Sequence, residues 1–369
     1  MTKAYDIIIV GAGIVGQTLA LGAAKLGQSI ALIDAADAPK FTSKNLEENN
    51  EPNVFAARVS AISLSSQALL EDLGVWNNIE RMQAYTHMHV WDTDGFGDIE
   101  FDINTVDQIG HNNKALGHII ENDAINTALF RQIQINPNVD TFFNTKVTHM
   151  ETNEQSALVT FNQNNETPRT ITARLLVGAD GALSRIKQWG EFATREWDYE
   201  HQALVATIEL EQPHEFTAWQ RFRPEGPLAL LPLAAESDKT CSIVWSTNET
   251  ECQHLLNLDD DAFCQQLGLA FEHRLGQVMK VGPRAAFPLR QRHAKNYVVP
   301  GIALVGDAAH TIHPLAGQGV NLGFKDVAAL SEELLRADNG GIQLGNLGVL
   351  ERYQRRRQGD NLLMMGAME

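Results

Sequence analysis

The chain has 369 residues, of which 44% are hydrophobic and 20% are charged, and this is enough for about two globular domains with sizeable cores. Its formal net charge of -17 argues against nonspecific nucleic-acid binding, because proteins that bind nucleic acid in this way carry basic surfaces. The three cysteines, Cys241, Cys252 and Cys264, match neither a zinc site nor a redox pair, and we interpret them as structural thiols in a reducing cytoplasm.

The N-terminal residues predict a nucleotide-binding βαβ unit. A buried parallel strand over residues 5–10 is followed by a tight turn with Gly11, Gly13 and Gly16, then by a helix, and by a second strand that ends at Asp34. Glycines let the backbone approach a pyrophosphate, the helix start attracts it, and the carboxylate can accept hydrogen bonds from a ribose. Because strand, helix and acid are all present, we favour dinucleotide binding over an ordinary tight turn.

The remaining elements follow in chain order. We predict a long polar loop over 35–57, a helix over 63–73, short strands over 86–102, a helix over 121–134, a β-meander over 139–177, longer antiparallel strands over 197–290 with one helix over 259–275, a strand over 301–305 and helices over 317–336 and 347–366. There is no export signal and no apolar run of roughly 18 residues. We therefore expect a cytoplasmic protein. Any membrane contact should be peripheral, on the inner face of the cytoplasmic membrane.

Two further turns carry an aspartate after a predicted strand. Asp180 lies in Gly178-Ala-Asp-Gly181, where an ordinary turn is as good an interpretation as a functional one. Asp307 follows Gly306 at the end of the strand over 301–305, where it can accept hydrogen bonds from hydroxyl groups or serve as a helix N-cap.

The most informative segment runs from Pro314 to Asn321. Gly317 and Gly319 leave backbone N–H groups at a helix start free to face a flat ring, although a glycine-rich helix start packed on a sheet would look similar. Two glycine-rich turns nearly three hundred residues apart predict one large cofactor that both ends of the chain hold. A nicotinamide dehydrogenase would need only the first turn, whereas an FAD enzyme needs both. We infer that this cofactor is FAD.

The order and context of these four motifs resemble the FAD-dependent aromatic hydroxylases, the p-hydroxybenzoate hydroxylase family. The run from His313 to Asp326 is similar to the signature of its ubiquinone-biosynthesis branch at every defined position, and further segments extend the likeness over essentially the whole chain. Residues 90–97 and 197–207 look most like the enzymes that act at ring carbon C5. The resemblance implies monooxygenation of a polyprenylphenol with O₂ and with NAD(P)H as a transient reductant.

The resemblance also assigns residues to the cofactor, position by position. It implies that the ADP half of FAD is held by Gly11, Gly13, Gly16 and Asp34, that Arg58 and Asn122 contact the cofactor, that Asp180 belongs to a motif for both FAD and NAD(P)H, that Asp307 binds ribityl, and that Gly317, Gln318, Gly319, Val320 and Asn321 line the isoalloxazine, with Gly306 and Pro314 as further cofactor-binding residues. No side chain stands out as a catalytic acid or base.

The predicted fold is α/β, with a three-layer ββα Rossmann-like FAD-binding domain and an inserted antiparallel-sheet substrate domain. We assign residues 1–85, 110–196 and 291–345 to the first domain, 86–109 and 197–290 to the second, and 346–369 to a C-terminal helix. The resemblance implies a further segment beyond Glu369. Residues 226–233 are a candidate for the apolar wall above the flavin, with ordinary sheet core as an equal alternative.

Other patterns leave alternatives open. His310 and His313 are three residues apart, but Pro314 and the lack of a nearby third ligand make a metal site improbable. Arg352, Arg355, Arg356 and Arg357 could contact anionic lipid, although a solvated helix face is commoner. The competing functions are another flavoenzyme of this fold, such as a soluble aromatic hydroxylase or a prenyl reductase, and a non-catalytic FAD-bound subunit of a ubiquinone-synthesis complex.

Overall fold

A computed structural model of the protein describes residues 3–40, 55–93, 97–106, 114–163, 167–311 and 319–368. In chain order its elements are β1 (Ala4–Val10), α1 (Ile14–Lys25), β2 (Ile30–Ile33), β3 (Val59–Ser63), α2 (Leu64–Asp72), β4 (Gln83–Tyr85), β5 (His87–Asp92), β6 (Asp98–Asp102), α3 (Ile103–Val106), β7 (Gly117–Glu121), α4 (Asn122–Gln134), β8 (Val139–Phe142), β9 (Thr145–Thr152), β10 (Ala157–Gln163), β11 (Arg169–Gly178), α5 (Arg185–Trp189), β12 (Thr194–Leu210), β13 (Thr217–Phe222), β14 (Leu228–Pro232), β15 (Thr240–Asn248), α6 (Glu249–Asn257), α7 (Asp260–Ala270), β16 (Val278–Val281), β17 (Ala285–Ala294), β18 (Val298–Val299), β19 (Ile302–Leu304), β20 (His310–Thr311), α8 (Gly319–Asn339) and α9 (Leu347–Met368).

The first sheet is built around the parallel strands predicted from the sequence. Its order is β18-β19-β11-β1-β2-β8, and β10 and β9 continue from β11 as an antiparallel ladder. The central residues Ile7, Ile8 and Ile9 are fully buried because both sides of the strand are covered. Helix α1 packs against α4 and α8 beside this sheet. This arrangement is the three-layer α/β fold that the sequence predicts.

The second sheet is largely antiparallel and has the order β20-β17-β12-β15-β14-β13-β5-β6, with β16 paired to β12. One of its faces packs against α6 and α7 around a core that includes Trp245, Phe263 and Leu267. Its other face carries Ala218, Ala229 and Leu231, which pack against the small sheet of β3, β7 and β4. The second sheet is therefore fixed beside the first domain by an apolar contact.

The elements differ from the sequence prediction in a few places. Helix α7 ends at Ala270 and not near 275, and helix α6 was missed although Asn248 caps it by accepting a hydrogen bond from the Glu251 amide at 2.9 Å. The small sheet of β3, β4 and β7 was also missed, because strands of three to five residues give little periodicity. Most of the predicted loop over 35–57 lies outside the described residues.

The domain boundaries stay a prediction. Strand β12 runs across the proposed boundary at 196, and β17 runs across the one at 290, so these two strands pass from one proposed domain into the other. Helix α9 begins one residue after the predicted start of the C-terminal segment.

Candidate functional site

Three loops leave the same edge of the first sheet. Parallel pairing aligns Val10 with Gly178, and Gly178 with Leu304, so that β1, β11 and β19 end side by side. The backbone continues this alignment, because the Ala179 amide donates to the Val10 carbonyl at 2.7 Å and the Val305 amide donates to the Gly178 carbonyl at 3.0 Å. The three predicted motifs therefore meet at the carboxyl ends of parallel strands, the usual ligand-binding edge of α/β sheets.

The first glycine-rich turn is closed by backbone contacts that leave no room for side chains. Gly11 has a φ of +108°, and a Cβ on it would lie 2.3 Å from the Ala179 carbonyl oxygen. A Cβ on Gly16 would lie 1.8 Å from the Gly11 oxygen. Gly13 differs from both, because a Cβ there would meet no heavy atom within 4 Å. Gly11 and Gly16 thus shape the turn, and Gly13 presents an open surface at the start of α1.

The carboxylates of Asp34 and Asp180 are both engaged within the protein. Asp34 accepts hydrogen bonds from the amides of Ala12 at 2.5 Å and Ala36 at 2.7 Å, which braces the first glycine-rich turn. Asp180 accepts from the Ser184 hydroxyl at 2.5 Å and the Arg185 amide at 2.7 Å, at the start of α5. Asp180 therefore stabilises the turn in which it lies, which is the alternative to a functional role that the sequence left open. A contact of Asp180 or Asp34 with the cofactor stays a proposal.

The second aspartate turn faces open space. Gly306 has a φ of +58°, and residues Gly306–Ala308 form a 3₁₀ turn followed by β20, so Asp307 is not the helix N-cap that the sequence left open. The Asp307 side chain is accessible from a cavity, yet enough protein surrounds it that burial raises the pKa of its carboxyl. His310, Arg58 and Lys187 oppose this rise because their charges favour the carboxylate.

Arg58 and Asn122 line the same cavity. The Asn122 amide donates to the Arg58 carbonyl at 3.0 Å, and the Asn122 side-chain oxygen accepts from the Ser60 hydroxyl at 2.7 Å. The Arg58 guanidinium lies 5.8 Å from the ring centroid of Phe287, a residue of β17. Arg58 therefore joins the first domain to the second sheet at the cavity and is placed where a cofactor contact would need it.

Helix α8 begins at the cavity. Gly319 and Val320 line it, and a Cβ on Gly319 would meet nothing within 4 Å. Asn321 is buried and does not line the cavity, because its side chain donates to the Ala61 carbonyl at 2.8 Å and accepts from the Ser63 amide at 3.1 Å and from a neighbouring serine hydroxyl. Asn321 thus ties the helix start to β3. His313, Pro314, Gly317 and Gln318 lie outside the described residues.

These loops enclose a cavity of about 800 Å³ between the two sheets. The residues that line it come from widely separated parts of the chain: Gly13, Ile14, Val15, Ala56, Ala57, Arg58, Val59, Ser60, Asn122, Asp123, Asn126, Ala179, Gly181, Ala203, Val205, Val244, Phe287, Pro288, Leu289, Arg290, Val305, Gly306, Asp307, His310, Thr311, Gly319, Val320 and Gly323. All four sequence motifs contribute to this lining, although Asp34, Asp180 and Asn321 themselves do not.

The apolar wall of the cavity corrects one sequence-based candidate. Small and medium apolar side chains on β12, β15 and β17 face the cavity: Ala203, Val205, Val244, Phe287, Pro288 and Leu289. Residues 226–233 do not line it, because Leu231 and Leu233 are buried against the small sheet. The alternative of ordinary sheet core therefore holds for that segment. The alternation of residues along β12 could have indicated this wall. Ala203 and Val205 face the cavity, while Leu204 between them faces the helices.

Arg290 and His310 also line the cavity, and neither was assigned to the cofactor from the sequence. The His310 ring is 3% exposed, and its Nε2 lies 2.6 Å from the Asp326 carboxylate. This partner accounts for His310 without a metal ion. The order of His310 and Asp326 along the chain gives no hint of the contact, which depends on how α8 lies behind the Gly306–Ala308 turn.

The arginines of the last helix are committed to ion pairs. Arg352 and Arg356 contact the nearly buried Glu333 of α8 at 2.8 and 3.2 Å, Arg355 pairs with Glu351 at 3.7 Å, and Arg357 pairs with Asp326 at 2.8 Å. Three of these arginines therefore join α9 to α8, and Arg355 pairs with the preceding turn of α9 itself. These ion pairs support neither a lipid-binding surface nor a simply solvated helix face. Within the described ranges, no helix has both the length and the apolar character needed to cross a membrane.

Three side chains of the second sheet lie close enough to share a cation. His89, Asp98 and Glu100 bring their ligand atoms within 4.8 Å of one another. The guanidinium of Arg274 lies 3.2 Å from the His89 ring nitrogen and 3.7 Å from the Asp98 carboxylate. Because a positive charge already occupies this position, we interpret the group as an ion-pair cluster.

The cavity fits the FAD that the sequence predicts. The start of α1 has no side-chain cap, so its free backbone N–H groups suit a pyrophosphate. Gly13, Gly181 and Gly319 each present open surface that a Cβ would occupy. Asp307 offers an acceptor for hydroxyl groups, and the surrounding protein raises the pKa of its carboxyl.

Comparison with known proteins agrees with this geometry. Residues 4–359 match the family model described as FAD binding domain. The chain is 36% identical to 3-demethoxyubiquinol 3-hydroxylase of Escherichia coli (strain K12) over 99% of this chain and 88% of that protein, and 33% identical to the mitochondrial ubiquinone biosynthesis monooxygenase COQ6 of Homo sapiens over 99% and 84%.

Solved structures show the same fold. PqsL of Pseudomonas aeruginosa, a probable FAD-dependent monooxygenase, superposes with a TM-score of 0.77 at 19% identity, covering 99% of this chain and 94% of that one. The p-nitrophenol 4-monooxygenase PnpA of Pseudomonas putida DLL-E4 also gives a TM-score of 0.77, at 16% identity, covering 99% and 87%.

Proposed function

The chain belongs to the FAD-binding family of flavin-dependent monooxygenases, and from that membership we propose that it hydroxylates the aromatic ring of a polyprenylphenol intermediate in ubiquinone biosynthesis, at C5, using NAD(P)H and O₂. The observation that carries the proposal is the convergence of all four sequence motifs on one cavity, which glycine surfaces and an apolar sheet line together. Two matched relatives are named for ubiquinone chemistry.

The residues of the first domain would hold FAD. The amides at Gly13, Ile14 and Val15 would bind its pyrophosphate at the start of α1. Asp307 would accept hydrogen bonds from its hydroxyl groups, and the start of α8 at Gly319 would face its ring system. FAD, when bound, supplies the redox chemistry that takes electrons from NAD(P)H and activates O₂.

The second sheet would hold the substrate. Ala203, Val205 and Val244 give the cavity a wall of small apolar side chains, on which an aromatic ring can lie flat. Such a wall also excludes water, which protects reactive species and strengthens electrostatic contacts at the site. Among the described residues, the arginines Arg58 and Arg290 line the cavity, and either could bind a phenolate oxygen.

The reaction is tested with the purified holoprotein, NAD(P)H, ¹⁸O₂ and a short-chain prenylphenol. We expect one labelled oxygen atom in the product, found by mass spectrometry. A prenyl reductase would consume NAD(P)H in the presence of substrate and leave the product unlabelled. A non-catalytic subunit would bind FAD and show no substrate-dependent consumption of NAD(P)H.

The ring position needs its own measurement. Resemblance in residues 90–97 and 197–207 supports C5, whereas the relative from Escherichia coli is named as a 3-hydroxylase of 3-demethoxyubiquinol. Offering both classes of substrate and locating the new hydroxyl by NMR distinguishes them. Turnover of the demethoxylated quinol alone would contradict the C5 assignment and leave the monooxygenase assignment intact.

A further inference from the structure

Asp326 is a fully buried carboxylate that lies behind the cavity, on α8. Its Oδ2 accepts hydrogen bonds from the Gly306 amide at 2.9 Å and from His310 Nε2 at 2.6 Å. These two donors flank Asp307 in the chain. Asp326 therefore holds both ends of the short turn that points Asp307 into the cavity.

The other carboxylate oxygen of Asp326 faces the last helix. Its Oδ1 accepts from Arg357 Nε at 2.8 Å, and Arg357 is 3% exposed. Arg357 also donates to the side-chain oxygens of Asp360 and Asn361, both at 2.7 Å. Asn361 in turn donates to the Tyr297 hydroxyl at 3.1 Å. A continuous polar network thus joins α9 to the cavity turn.

A buried ion pair of this kind is a weak source of stability. Removing two charges from water costs about as much as their attraction returns, and apolar replacements of similar size are often neutral or stabilising. The pair instead fixes geometry. Three donors bind the two oxygens of Asp326 and so set the positions of the turn, His310 and α9 relative to α8.

We propose that Asp326 and Arg357 are positioning residues for the cofactor: Asp326 fixes the Gly306–His310 turn so that Asp307 faces FAD, and Arg357 keeps Asp326 charged and in place. This inference rests on the FAD site proposed above. It makes helix α9 part of the cofactor-binding apparatus although none of its residues from Leu347 to Asn361 lines the cavity.

The test compares variants of the full chain in three measurements: FAD affinity of the apoprotein by flavin fluorescence, Tm of the apoprotein, and visible circular dichroism of the bound flavin. Asp326→Asn offers one oxygen where the wild type offers two, so it should weaken FAD binding by about tenfold, which equals about 1.4 kcal/mol. It should also change the flavin dichroism. Arg355→Gln is the matched control on α9, because Arg355 is exposed and its ion pair among the described residues is with Glu351 of the same helix.

The double variant Asp326→Asn/Arg357→Gln separates positioning from stability. Arg357→Gln alone leaves the buried Asp326 Oδ1 without its charged partner, while His310 and the Gly306 amide still contact Oδ2, and it should lower the apoprotein Tm. The double variant should recover that Tm and keep the weak FAD binding and altered dichroism of Asp326→Asn. If a single variant does not fold, FAD affinity and dichroism are measured on the double variant instead.

Two outcomes would overturn the proposal. One is a double variant that recovers Tm, affinity and dichroism together, since a merely structural pair predicts that the three move as one. The other is a folded Asp326→Asn protein with wild-type affinity and dichroism. Failure of the FAD site itself would be seen separately, as a wild-type protein that binds no FAD.

Discussion

Asp307 and Asp326 belong to one polar cluster, yet their pKa values move in opposite directions. Burial raises the pKa of the Asp307 carboxyl, which lies open to the cavity and accepts no hydrogen bond from the residues that the structure describes. Burial also opposes ionisation of Asp326, but His310 and Arg357 outweigh it by charge and hydrogen bonding, and they lower its pKa. The protein therefore satisfies one carboxylate itself and leaves the other for a ligand.

Replacing Asp307 by Asn should weaken FAD binding and stabilise the apoprotein. A hydrogen bond to a charged group is worth about 1.5–3 kcal/mol, so affinity should fall by about 10- to 150-fold. Because the folded-state pKa is raised above the unfolded value of 3.8, the unfolded chain loses its proton first, so the stability of the apoprotein falls as pH rises from about 3.8 and levels off above the folded-state pKa. Asp307→Asn should therefore be more stable than wild type near pH 7 and equal to it below about pH 3.8.

Thermal unfolding of both apoproteins across this pH range, with fluorescence titration of FAD at pH 7, measures the two effects. Asp37→Asn is a suitable control, since that carboxylate is exposed and outside the cavity lining. An Asp307→Asn apoprotein that is less stable than wild type at pH 7 would contradict a ligand-directed carboxylate.

Gly13 and Gly11 should respond to alanine in different ways. Gly13→Ala places a methyl group in open cavity space, so the protein should fold with nearly the wild-type Tm and lose FAD affinity. Gly11→Ala places the methyl 2.3 Å from a backbone oxygen at a φ of +108°, so it should lower the Tm whether or not FAD is present. Apoprotein Tm and FAD titration distinguish the two, and equal loss of Tm in both variants would refute the assignment of Gly13 to the cofactor surface.

Local patterns made much of this fold predictable from the sequence. The apolar run of β1, the glycine turn and the acid at Asp34 are set by neighbours in the chain, and they were found at their predicted places. The roles of Asp180 and Asn321 were not predictable in the same way. Whether an aspartate caps a helix or binds a ligand depends on where its carboxylate points, which the residue order does not determine.

The apolar wall shows the same limit at longer range. Residues 226–233 and residues 203–205 look alike as strands, and only the stacking of β14 under the small sheet removes the former from the cavity. The buried contact between Asp326 and Arg357 depends on α8 and α9 packing together, and sequence periodicity describes each helix by itself.

Enlarging Val244 should block substrate without affecting the cofactor. Val244→Phe fills cavity space on the second sheet, whereas Gly13 belongs to the first domain, so kcat/KM should fall by at least about tenfold. FAD affinity and the flavin absorption spectrum should stay as in wild type. Leu269→Phe, on the exposed side of α7, controls for added bulk. If Val244→Phe loses FAD and activity in parallel, the second sheet would belong to the cofactor site and the proposed substrate wall would be wrong.

His293 should make the fold sensitive to mild acid. It is 4% exposed, its Nε2 lies 2.8 Å from the Tyr297 hydroxyl, and burial, with the nearby His310 and Arg195, lowers its pKa to about 4. Because this lies below the unfolded value of 6.5, the unfolded chain binds the proton first, and stability should fall as pH drops from 6.5 to about 4. The loss attributable to His293 is at most about 3 kcal/mol.

His293→Gln keeps a nitrogen near Tyr297 and removes the titration. Urea unfolding of this variant should show a smaller loss of free energy between pH 7 and pH 4 than the wild type shows, whatever its absolute stability at pH 7. His149→Gln is the control, because His149 is exposed and pairs with Glu151 at the surface. Parallel pH profiles for the wild type and His293→Gln would mean that His293 binds its proton equally well in the folded and the unfolded protein, and would contradict the lowered pKa.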